Sequence, residues 1–452
     1  MDALGKILNN ITKIKYDDLP EAVVDNTKKF ILDSLGVAIA GSSAPGCKEI
    51  VDLVKEWSGK PEASLIVHGG KVPSPLAAFC NSTMMHALDF DDTLDESPLH
   101  AHVSVLPAAL ATAESLGGIS GRELISAVAL GVDLVCRLGL ATQKPLSWIR
   151  TATCGSFGAA VAAGKLMNLK REQMLHALGV TYSQTSGNAQ CLIDGALVKR
   201  MQPGFSAKAG VLSSFLARKG ITGARNVFEG EYGFFNLYEG GSYARGKLLD
   251  GLGKRFEGMK LSIKPYPSCR MTHASIDAAL AIKKEHRIEP TKIEEVRVQV
   301  SKMVHNMVGG AFTIRENPQV DAQFNIPYTV AVALIHGDVF LKDFDEASIK
   351  DPLVHKLAQK VKIIIDPELE ERNISTASLV VQVEGFLFQK KVNQMKGNPL
   401  NPMNMDDCIE KFKKCVSYNQ EVISEVRVDE ALDCLKNLED LGDIKILMGL
   451  LC

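Results

Sequence analysis

Apolar residues recur at helical spacing through the first part of the chain. After Leu19-Pro20, the sequence EAVVDNTKKFILDSLGVAIAG predicts a helix that begins at the proline and ends at Gly41. Similar patterns predict further helices over residues 103–117, 121–138, 154–168, 171–179 and 205–219. The segment CGSFGAAVAAG, which starts at Cys154, consists mostly of small residues. We therefore predict that this helix lets neighbouring backbones approach closely.

The pattern changes near Lys264. Residues 293–300, IEEVRVQV, alternate between polar and apolar side chains, which predicts a half-buried strand. Further segments are predicted as strands over 361–365 and 378–392, the latter with a bend at Gly385, and as helices over 273–286 and 326–336. Helical spacing returns at Met405, after the Pro- and Asn-rich connection GNPLNPMN.

These patterns predict a mainly α protein with two domains. The larger is an all-helical domain of residues 1–263, which residues 400–452 complete. The smaller is an inserted α+β domain of residues 264–399, predicted to act as a lid. A chain of 452 residues is too long for one ordinary hydrophobic core, so two domains also agree with its length.

Composition narrows the classes of partner. A net charge of −2 creates no overall field that would gather nucleic acid or an anionic membrane, so an anionic substrate needs locally placed Lys or Arg. No uninterrupted apolar run suits a membrane span, and the N-terminus lacks a signal-peptide core, which predicts a cytoplasmic protein. The 10 cysteines form no CxxC pair, so free thiols are favoured over disulfides, zinc sites and iron–sulfur clusters.

The segment HALDFDDTLDESPLHAHVSVLP, which starts at His86, holds the densest chemistry. On a helix, His86, Asp89 and Thr93 would share one face. His100 and His102 follow a loop and precede an apolar run. Titratable groups among apolar residues cost desolvation energy unless they are paired or used. This segment is therefore the leading candidate for an active site.

Two metal-dependent interpretations compete for the same segment. Residues 91–95 match DDxxD, the magnesium–diphosphate motif of helical isoprenoid synthases, but residues 406–410 resemble a helix N-terminus rather than the second acidic motif needed. A metal hydrolase would use His86, Asp89, His100 and His102, yet HExxH or a comparable ligand pattern is missing.

Two further segments carry cations. KRMQPGFSAKAG places Lys208 on the early turns of a helix behind a Pro-Gly turn. KPYPSCRMTH uses two prolines to stiffen a loop that presents Lys264, Arg270 and His273 together. Such a loop suits the binding of a carboxylate combined with proton transfer.

Taken together, these segments resemble the MmgE/PrpD family, which includes 2-methylcitrate dehydratase, cis-aconitate decarboxylase and iminodisuccinate epimerase. The resemblance covers nearly the whole chain, and HALDFDDT and KPYPSCRMTH are its most specific motifs. It implies a homodimer with no metal or organic cofactor, and a helical domain with an inserted α+β domain. It also implies a small carboxylate as substrate.

The resemblance also implies a set of site residues in a cleft between the two domains. The catalytic positions are Asp89, Thr93, His100, Lys208, His273 and Tyr328, and the substrate-binding positions are Lys264, Arg270, His102 and Arg150. His100 and His273 are predicted as the acid/base pair, and His102 is an alternative to His100 because the family's usual His-Pro is His100-Ala101 here. Arg150 stands where many members have His-Pro.

The predicted roles of these residues follow a common chemistry. Asp89 would orient one of the two histidines or share the proton transfer. Lys208 and Arg270 would hold carboxylates, and Thr93 and Tyr328 would support them through hydrogen bonds. The predicted function is a cofactor-independent lyase that abstracts a proton next to a carboxylate of a small di- or tricarboxylate. A hydro-lyase like 2-methylcitrate dehydratase is favoured, with an epimerase of a succinate derivative or a cis-aconitate decarboxylase as alternatives. The remote alternative is a magnesium-dependent isoprenoid synthase. A non-catalytic protein of the same fold should have lost some of the catalytic residues Asp89, His100, Lys208 and His273, but all four are present.

The sequence yields one prediction about metal dependence. Because clustered Cys ligands and a second acidic motif are missing, activity should survive exhaustive chelation. Turnover before and after treatment with EDTA measures this, and a loss that magnesium or zinc restores would contradict it.

Overall fold

The computed structural model describes residues 2–144, 147–315, 317–419 and 423–452. The chain forms two compact units, the first running to Leu261 and resuming at Asn404, and the second covering Ser262–Met403. Helices account for 58% of the structure and strands for 9%. This confirms the prediction of a mainly α protein with a smaller α+β region, while the role of the second unit as a lid stays a prediction.

The first unit is built from helices with very short strands between them. Up to residue 261 the helices are α1 (Ala3–Lys13), α2 (Glu21–Gly41), α3 (Cys47–Trp57), α4 (Ser74–Met85), α5 (His102–Leu116), α6 (Gly121–Ala141), α7 (Arg150–Leu166), α8 (Arg171–Tyr182), α9 (Gln190–Ile193), α10 (Val198–Arg218), α11 (Phe234–Glu239) and α12 (Arg245–Leu249). The strands are β1 (Ala63–Ser64), β2 (Lys71–Val72), β3 (Thr93–Leu94) and β4 (Leu261–Ser262), the last at the boundary of the units.

Helix α7 lies at the centre of the first unit and packs against α5, α6, α8 and α10. Its small residues make these close approaches possible, as predicted. A Cβ atom at Gly158 would lie 2.7 Å from the carbonyl oxygen of Gly131 on α6, and a Cβ at Gly155 would lie 2.5 Å from Ser104 Oγ on α5. The helix backbones therefore pack directly on one another.

Among the described residues, α6 is the one helix long and apolar enough to cross a membrane by length and composition. Its apolar window has a mean hydropathy of 1.9, and 94% of that window is buried within the structure. Arg137 on α6 is also fully buried, where it binds Asp133 and the backbone carbonyls of Leu248 and Asp250. Such burial is expected of a helix in the core of a folded domain.

The second unit packs helices on a four-stranded sheet. Its helices are α13 (His273–His286), α14 (Lys302–Val308), α15 (Pro318–Gln323), α16 (Ile326–His336), α17 (Glu346–Ile349) and α18 (Pro352–Ala358), and its strands are β5 (Ile293–Val300), β6 (Val361–Ile365), β7 (Ala377–Val383) and β8 (Phe386–Val392). The strand order is β6-β5-β7-β8, with β5 and β6 parallel and the other pairs antiparallel. Helix α13 packs against β7, β8 and α16.

The chain then returns to the first unit through α19 (Met405–Tyr418), α20 (Glu425–Lys436) and α21 (Lys445–Leu450). Lys411 on α19 is buried, and its Nζ lies 2.6 Å from Asp33 Oδ1 on α2. The same ammonium donates to the carbonyl oxygen of Phe90 at 3.0 Å and lies 3.7 Å from the centroid of the Phe90 ring. One buried cation thus links α19, α2 and the turn that follows α4.

Three predicted elements need correction. The helix expected over 205–219 begins at Val198, because Pro203 and Gly204 lie inside α10 instead of forming a turn before it. The segment 378–392 is a hairpin of two strands, since Glu384 and Gly385 both have positive φ and form a two-residue turn. The stretch from His86 to Thr93 is not helical, as described below.

Two smaller predictions are confirmed. Residues 406–410 begin a helix, because the side chain of Asn404 accepts a hydrogen bond from the Asp407 backbone and Asp407 caps the Asn404 backbone in return. The ten cysteines are free thiols, most of them buried, and burial raises the pKa of Cys80 and Cys154 to about 12.

The close packing of α6 and α7 makes a stability prediction. In Gly158→Ala, the new Cβ would lie 2.3 Å from a methyl of Val135, so we expect the free energy of unfolding to fall by about 1–3 kcal/mol. Gly449→Ala is the matched control, because this helical glycine has no atom within 4 Å of the added Cβ, and it should gain up to about 1 kcal/mol. Urea unfolding followed by circular dichroism measures both, and equal midpoints would contradict the packing argument.

Candidate active site

A tight turn follows α4 and carries the first candidate residues. Helix α4 ends at Met85, His86 caps it, and the chain turns until β3 begins at Thr93. Asp89 has a φ of +55°, a left-handed conformation that no α-helix of L-residues contains. The shared helical face predicted for His86, Asp89 and Thr93 is therefore wrong. The turn brings different atoms together instead.

The centre of this turn is the carboxylate of Asp91. Its Oδ2 accepts a hydrogen bond from His86 Nδ1 at 2.8 Å and lies 3.0 Å from His100 Nδ1. The two imidazole rings meet edge to face, with centroids 5.0 Å apart. Asp91 and His86 are buried, whereas 18% of the His100 side chain is exposed. One oxygen of a buried carboxylate thus orients two histidines.

The protonation of this cluster follows from its surroundings. Burial alone would raise the pKa of Asp91, but the two histidines lower that pKa well below its ordinary value, so the carboxylate is ionised. Burial lowers the pKa of His86 to about 4, so this ring is neutral at pH 7. His100 Nδ1 faces the carboxylate of Asp91 and the carbonyl oxygen of Asp92, which both accept, so Nδ1 carries the proton. The lone pair of His100 therefore lies on Nε2.

The loop that carries His100 is held at both sides. The carboxylate of Asp92 accepts hydrogen bonds from the backbone N–H groups of Ala101 at 2.8 Å and His102 at 3.2 Å, at the N-terminus of α5. The backbone N–H of His100 donates to Thr151 Oγ1 on α7 at 3.1 Å. These contacts fix the backbone of His100 before any substrate binds. Asp91 and Asp92 are both buried, which does not fit the solvent-facing carboxylates that a diphosphate-binding DDxxD motif needs.

His102 lies in a different environment from His100. Its ring is buried and stacks on Phe30 at a centroid distance of 4.8 Å, and its Nδ1 is 3.5 Å from Asp92 Oδ2. The ring fills the interior between α2 and α5. This geometry favours His100 over His102 as the histidine that reaches a substrate, and it gives no support to substrate binding by His102.

Lys199 is a cation beside the turn. Its Nζ lies 3.5 Å from Asp89 Oδ1. Lys208 lies about 13 Å further along α10, where its ammonium is 5.9 Å and 5.7 Å from the ring centroids of Phe79 and Phe205. Among the described residues, Lys208 makes no ion pair with the cluster around Asp91. Lys199 is thus a lysine that the structure places beside Asp89, and the role of Lys208 in holding a carboxylate stays a prediction.

Two other predicted residues of the first unit have local structural contacts. Arg150 is buried at the start of α7 and donates to the carbonyl oxygen of Lys144. Thr93 is buried in β3, where the neighbouring Leu94 N–H donates to the Leu99 carbonyl at 2.9 Å and closes the loop before His100. Neither contact tests the predicted roles, so substrate binding by Arg150 and hydrogen-bonding support by Thr93 stay predictions.

Lys264, Arg270 and His273 of the second unit are all buried. Arg270 Nη1 donates to His273 Nδ1 at 3.2 Å and to the Lys396 carbonyl at 3.0 Å. His273 Nε2 then donates to the Ser268 carbonyl at 3.2 Å. Because Arg270 can only donate, His273 accepts at Nδ1 and is a neutral ring with its proton on Nε2.

Tyr328 belongs to the core of the second unit. Its side chain is fully buried between Phe312 and Phe344, and its hydroxyl donates to the carbonyl oxygen of Asp343. Burial raises the pKa of this hydroxyl. The structure therefore gives Tyr328 a packing role within its unit. The predicted cleft between the two domains stays a prediction.

Sequence reasoning missed Asp91, Thr151 and Lys199. The sequence pattern relates Asp91 only to a DDxxD motif. Lys199 lies at the start of KRMQPGFSAKAG, but the pattern of that segment gives it no role. A Pro-Gly pair usually marks a turn, so the sequence predicts that the helix begins after this pair and that Lys199 lies outside it. In the structure, Lys199 lies in the first turn of α10. Thr151 has no sequence signal, because its contact with His100 crosses from one helix to the loop before another.

Comparison with known proteins identifies relatives over the whole chain. The model of the MmgE/PrpD N-terminal domain matches residues 5–246, and that of the MmgE/PrpD C-terminal domain matches residues 266–439. A cis-aconitate decarboxylase of Aspergillus terreus is 28% identical over 99% of this chain and 95% of its own length. The Homo sapiens cis-aconitate decarboxylase is 27% identical over 97% and 92%. A 2-methylcitrate dehydratase of Salmonella typhi is 20% identical over 92% of each.

The buried His86 predicts a pH dependence of stability. Its pKa falls from an ordinary 6.5 to about 4 on folding, so the unfolded chain binds more protons between these values and stability is lost as the pH falls through this window. The full effect is about 3 kcal/mol. We expect the thermal midpoint of the wild type to drop more between pH 7 and pH 4.5 than that of His86→Gln. Equal drops in the two proteins would contradict the assignment of a neutral His86.

Proposed function

The chain belongs to the MmgE/PrpD family, and we propose that it is a cofactor-independent lyase that moves a proton at a carbon next to a carboxylate of a small di- or tricarboxylate. The relatives named above are lyases, namely decarboxylases and dehydratases. The observation that carries the proposal is the arrangement of Asp91 and His100. A fixed imidazole with a carboxylate on Nδ1 and an open Nε2 is suited to accept and return a proton.

His100 Nε2 is the proposed site of proton transfer. Asp91 holds the Nδ1 proton and stabilises the positive charge that appears on the ring when Nε2 takes up a second proton. Because Asp91 is buried and the loop is fixed by Asp92 and Thr151, the ring needs little reorganisation during the reaction. Asp89 and Lys199 stand beside this centre as a charge pair.

Lys199 is the proposed partner of a substrate carboxylate. Its side chain is 30% exposed and its 3.5 Å contact with Asp89 is long for an ion pair, so a substrate carboxylate can share the ammonium. We further propose that Lys264, Arg270 and His273 of the second unit complete the site. His273, with its proton on Nε2, would act as the partner acid of His100.

Similarity favours decarboxylation as the specific reaction. The cis-aconitate decarboxylases match at 27–28% identity over 97–99% of the chain, and the S. typhi 2-methylcitrate dehydratase matches at 20% over 92%. In the decarboxylation of an unsaturated tricarboxylate, the bond to one carboxylate breaks and carbon dioxide leaves. The electron pair of the broken carbon–carbon bond moves into the allylic system. A proton from a histidine then forms the new C–H bond. Dehydration of a hydroxylated tricarboxylate is the second candidate. In that reaction a histidine would remove the proton from the carbon next to a carboxylate, a double bond would form, and the hydroxyl would take up a proton and leave as water.

The experiment that tests the function compares these acids directly. The protein is incubated in deuterated water with cis-aconitate, with a citrate-like hydroxy acid and with a succinate derivative, and the products are followed by NMR. A decarboxylase releases carbon dioxide and introduces one deuterium, whereas a hydro-lyase releases water from the hydroxy acid. Exchange without loss of a group would instead support an isomerase, and no reaction or exchange with any acid would refute the enzyme proposal. The homodimer and the cytoplasmic location stay predictions.

Substitutions test the assigned roles. We expect His100→Gln to lower turnover by roughly a hundredfold or more, because the transferable lone pair is lost. Lys199→Met should raise KM as well as lower kcat, because it removes the charge partner of a carboxylate. Lys208→Met, nine positions later on the same helix, tests the other predicted lysine, and it should change both values less if Lys199 holds the carboxylate. Steady-state kinetics would contradict this assignment if Lys208→Met were the more damaging of the two lysine variants.

A further inference from the structure

We propose that His86, Asp91 and His100 form a reversible binding site for a late first-row divalent cation such as zinc(II), and that occupation of this site inhibits the enzyme. One ring nitrogen of each histidine and a carboxylate oxygen of Asp91 all lie within 4.8 Å of one another, and the Nδ1 atoms of both rings face Asp91 Oδ2. Two imidazoles and one carboxylate form a ligand set that zinc commonly takes in proteins, with a fourth position left open.

The distances within the cluster are close to those of a metal site. With bonds of about 2.0–2.1 Å to a tetrahedral zinc ion, adjacent ligand atoms stand roughly 3.3 Å apart. The two nitrogen–oxygen distances to Asp91 Oδ2 are 2.8 and 3.0 Å. Small outward movements of the rings would therefore admit the ion. It would replace the two protons that now bridge the rings to the carboxylate.

A second observation supports a ligand at this position. Asp91 is fully buried, and its other oxygen, Oδ1, has no hydrogen-bond partner among the described residues. A buried carboxylate oxygen without a partner is costly, and a cation that both oxygens of this carboxylate face would lower this cost. His100 is the exposed member of the three, so the ion would reach the cluster past its ring.

Inhibition by the bound cation follows from the chemistry of imidazole. The inhibition rests on the proposed function, whereas the binding of the cation does not rest on it. A neutral imidazole that binds a cation through Nδ1 must carry its proton on Nε2. His100 Nε2 then has no lone pair and cannot accept a proton from the substrate. Magnesium prefers six oxygen ligands, and this cluster offers only one carboxylate, so magnesium should not bind here.

The test uses cobalt(II) as a spectroscopic probe and zinc(II) as a competitor. The full-length protein is stripped with EDTA, desalted and titrated with cobalt(II) while visible absorption is recorded. We expect one equivalent to bind with the spectrum of a four-coordinate nitrogen and oxygen site, without a thiolate charge-transfer band. Zinc should displace the cobalt, whereas magnesium should not. EDTA should return the spectrum to that of the metal-free protein and should restore the turnover.

Two variants and a control decide where the ion binds. His86→Gln and His100→Gln should each abolish the spectrum, and two variants are used in case the buried His86 is needed for folding, which circular dichroism checks. His176→Gln is the matched control, because His176 Nε2 also lies 3.6 Å from a carboxylate oxygen, that of Glu172. The cobalt spectrum of this variant should be the same as that of the wild type. A thiolate band, no binding, or binding that survives in both folded variants would overturn the site. Binding of the cation without inhibition would overturn the proposed inhibition but not the binding site. A protein that is inactive on every acid would refute the proposed function, and the binding test would still decide the site.

Discussion

The candidate site depends on one buried oxygen atom. Asp91 Oδ2 faces His86 and His100 at once, and both rings are oriented by it. The free energy cost of burying this charge is offset only because two N–H groups point at it. If the carboxylate were lost, His86 would be left polar and buried without its partner. The orientation of His100, and with it the position of Nε2, would also be lost.

The fold class was accessible from sequence because it depends on periodicity. Helix α2 begins after Pro20 and ends at Gly41 as predicted, and β5 and α13 also have the predicted bounds. The site was harder to predict because it depends on exceptions to periodicity. Asp89 adopts a left-handed backbone, and nothing in the pattern of apolar residues distinguishes that turn from one more turn of helix.

The misplaced start of α10 has a similar cause. Pro203 and Gly204 have strong local preferences for ending a helix, yet tertiary packing holds them inside α10, where a Cβ at Gly204 would lie 2.7 Å from the Phe79 carbonyl. Packing against α4 thus overrides local propensity. It extends α10 far enough to bring Lys199 to Asp89. A pairing between residues so far apart in sequence is a property of the packed helices rather than of either segment.

The anchoring of the turn by Lys411 has a consequence for the order of folding. The lysine that binds the Phe90 carbonyl and Asp33 belongs to α19, which is synthesised only after the entire second unit. On the ribosome, the first unit therefore emerges before Lys411 can bind the Phe90 carbonyl and before Asp33 gains this counterion. A chain that stops at residue 403 should be cleaved more readily by proteases at this turn than the full chain. The turn that carries the candidate residues thus gains its last anchor only when the C-terminal helices have been made.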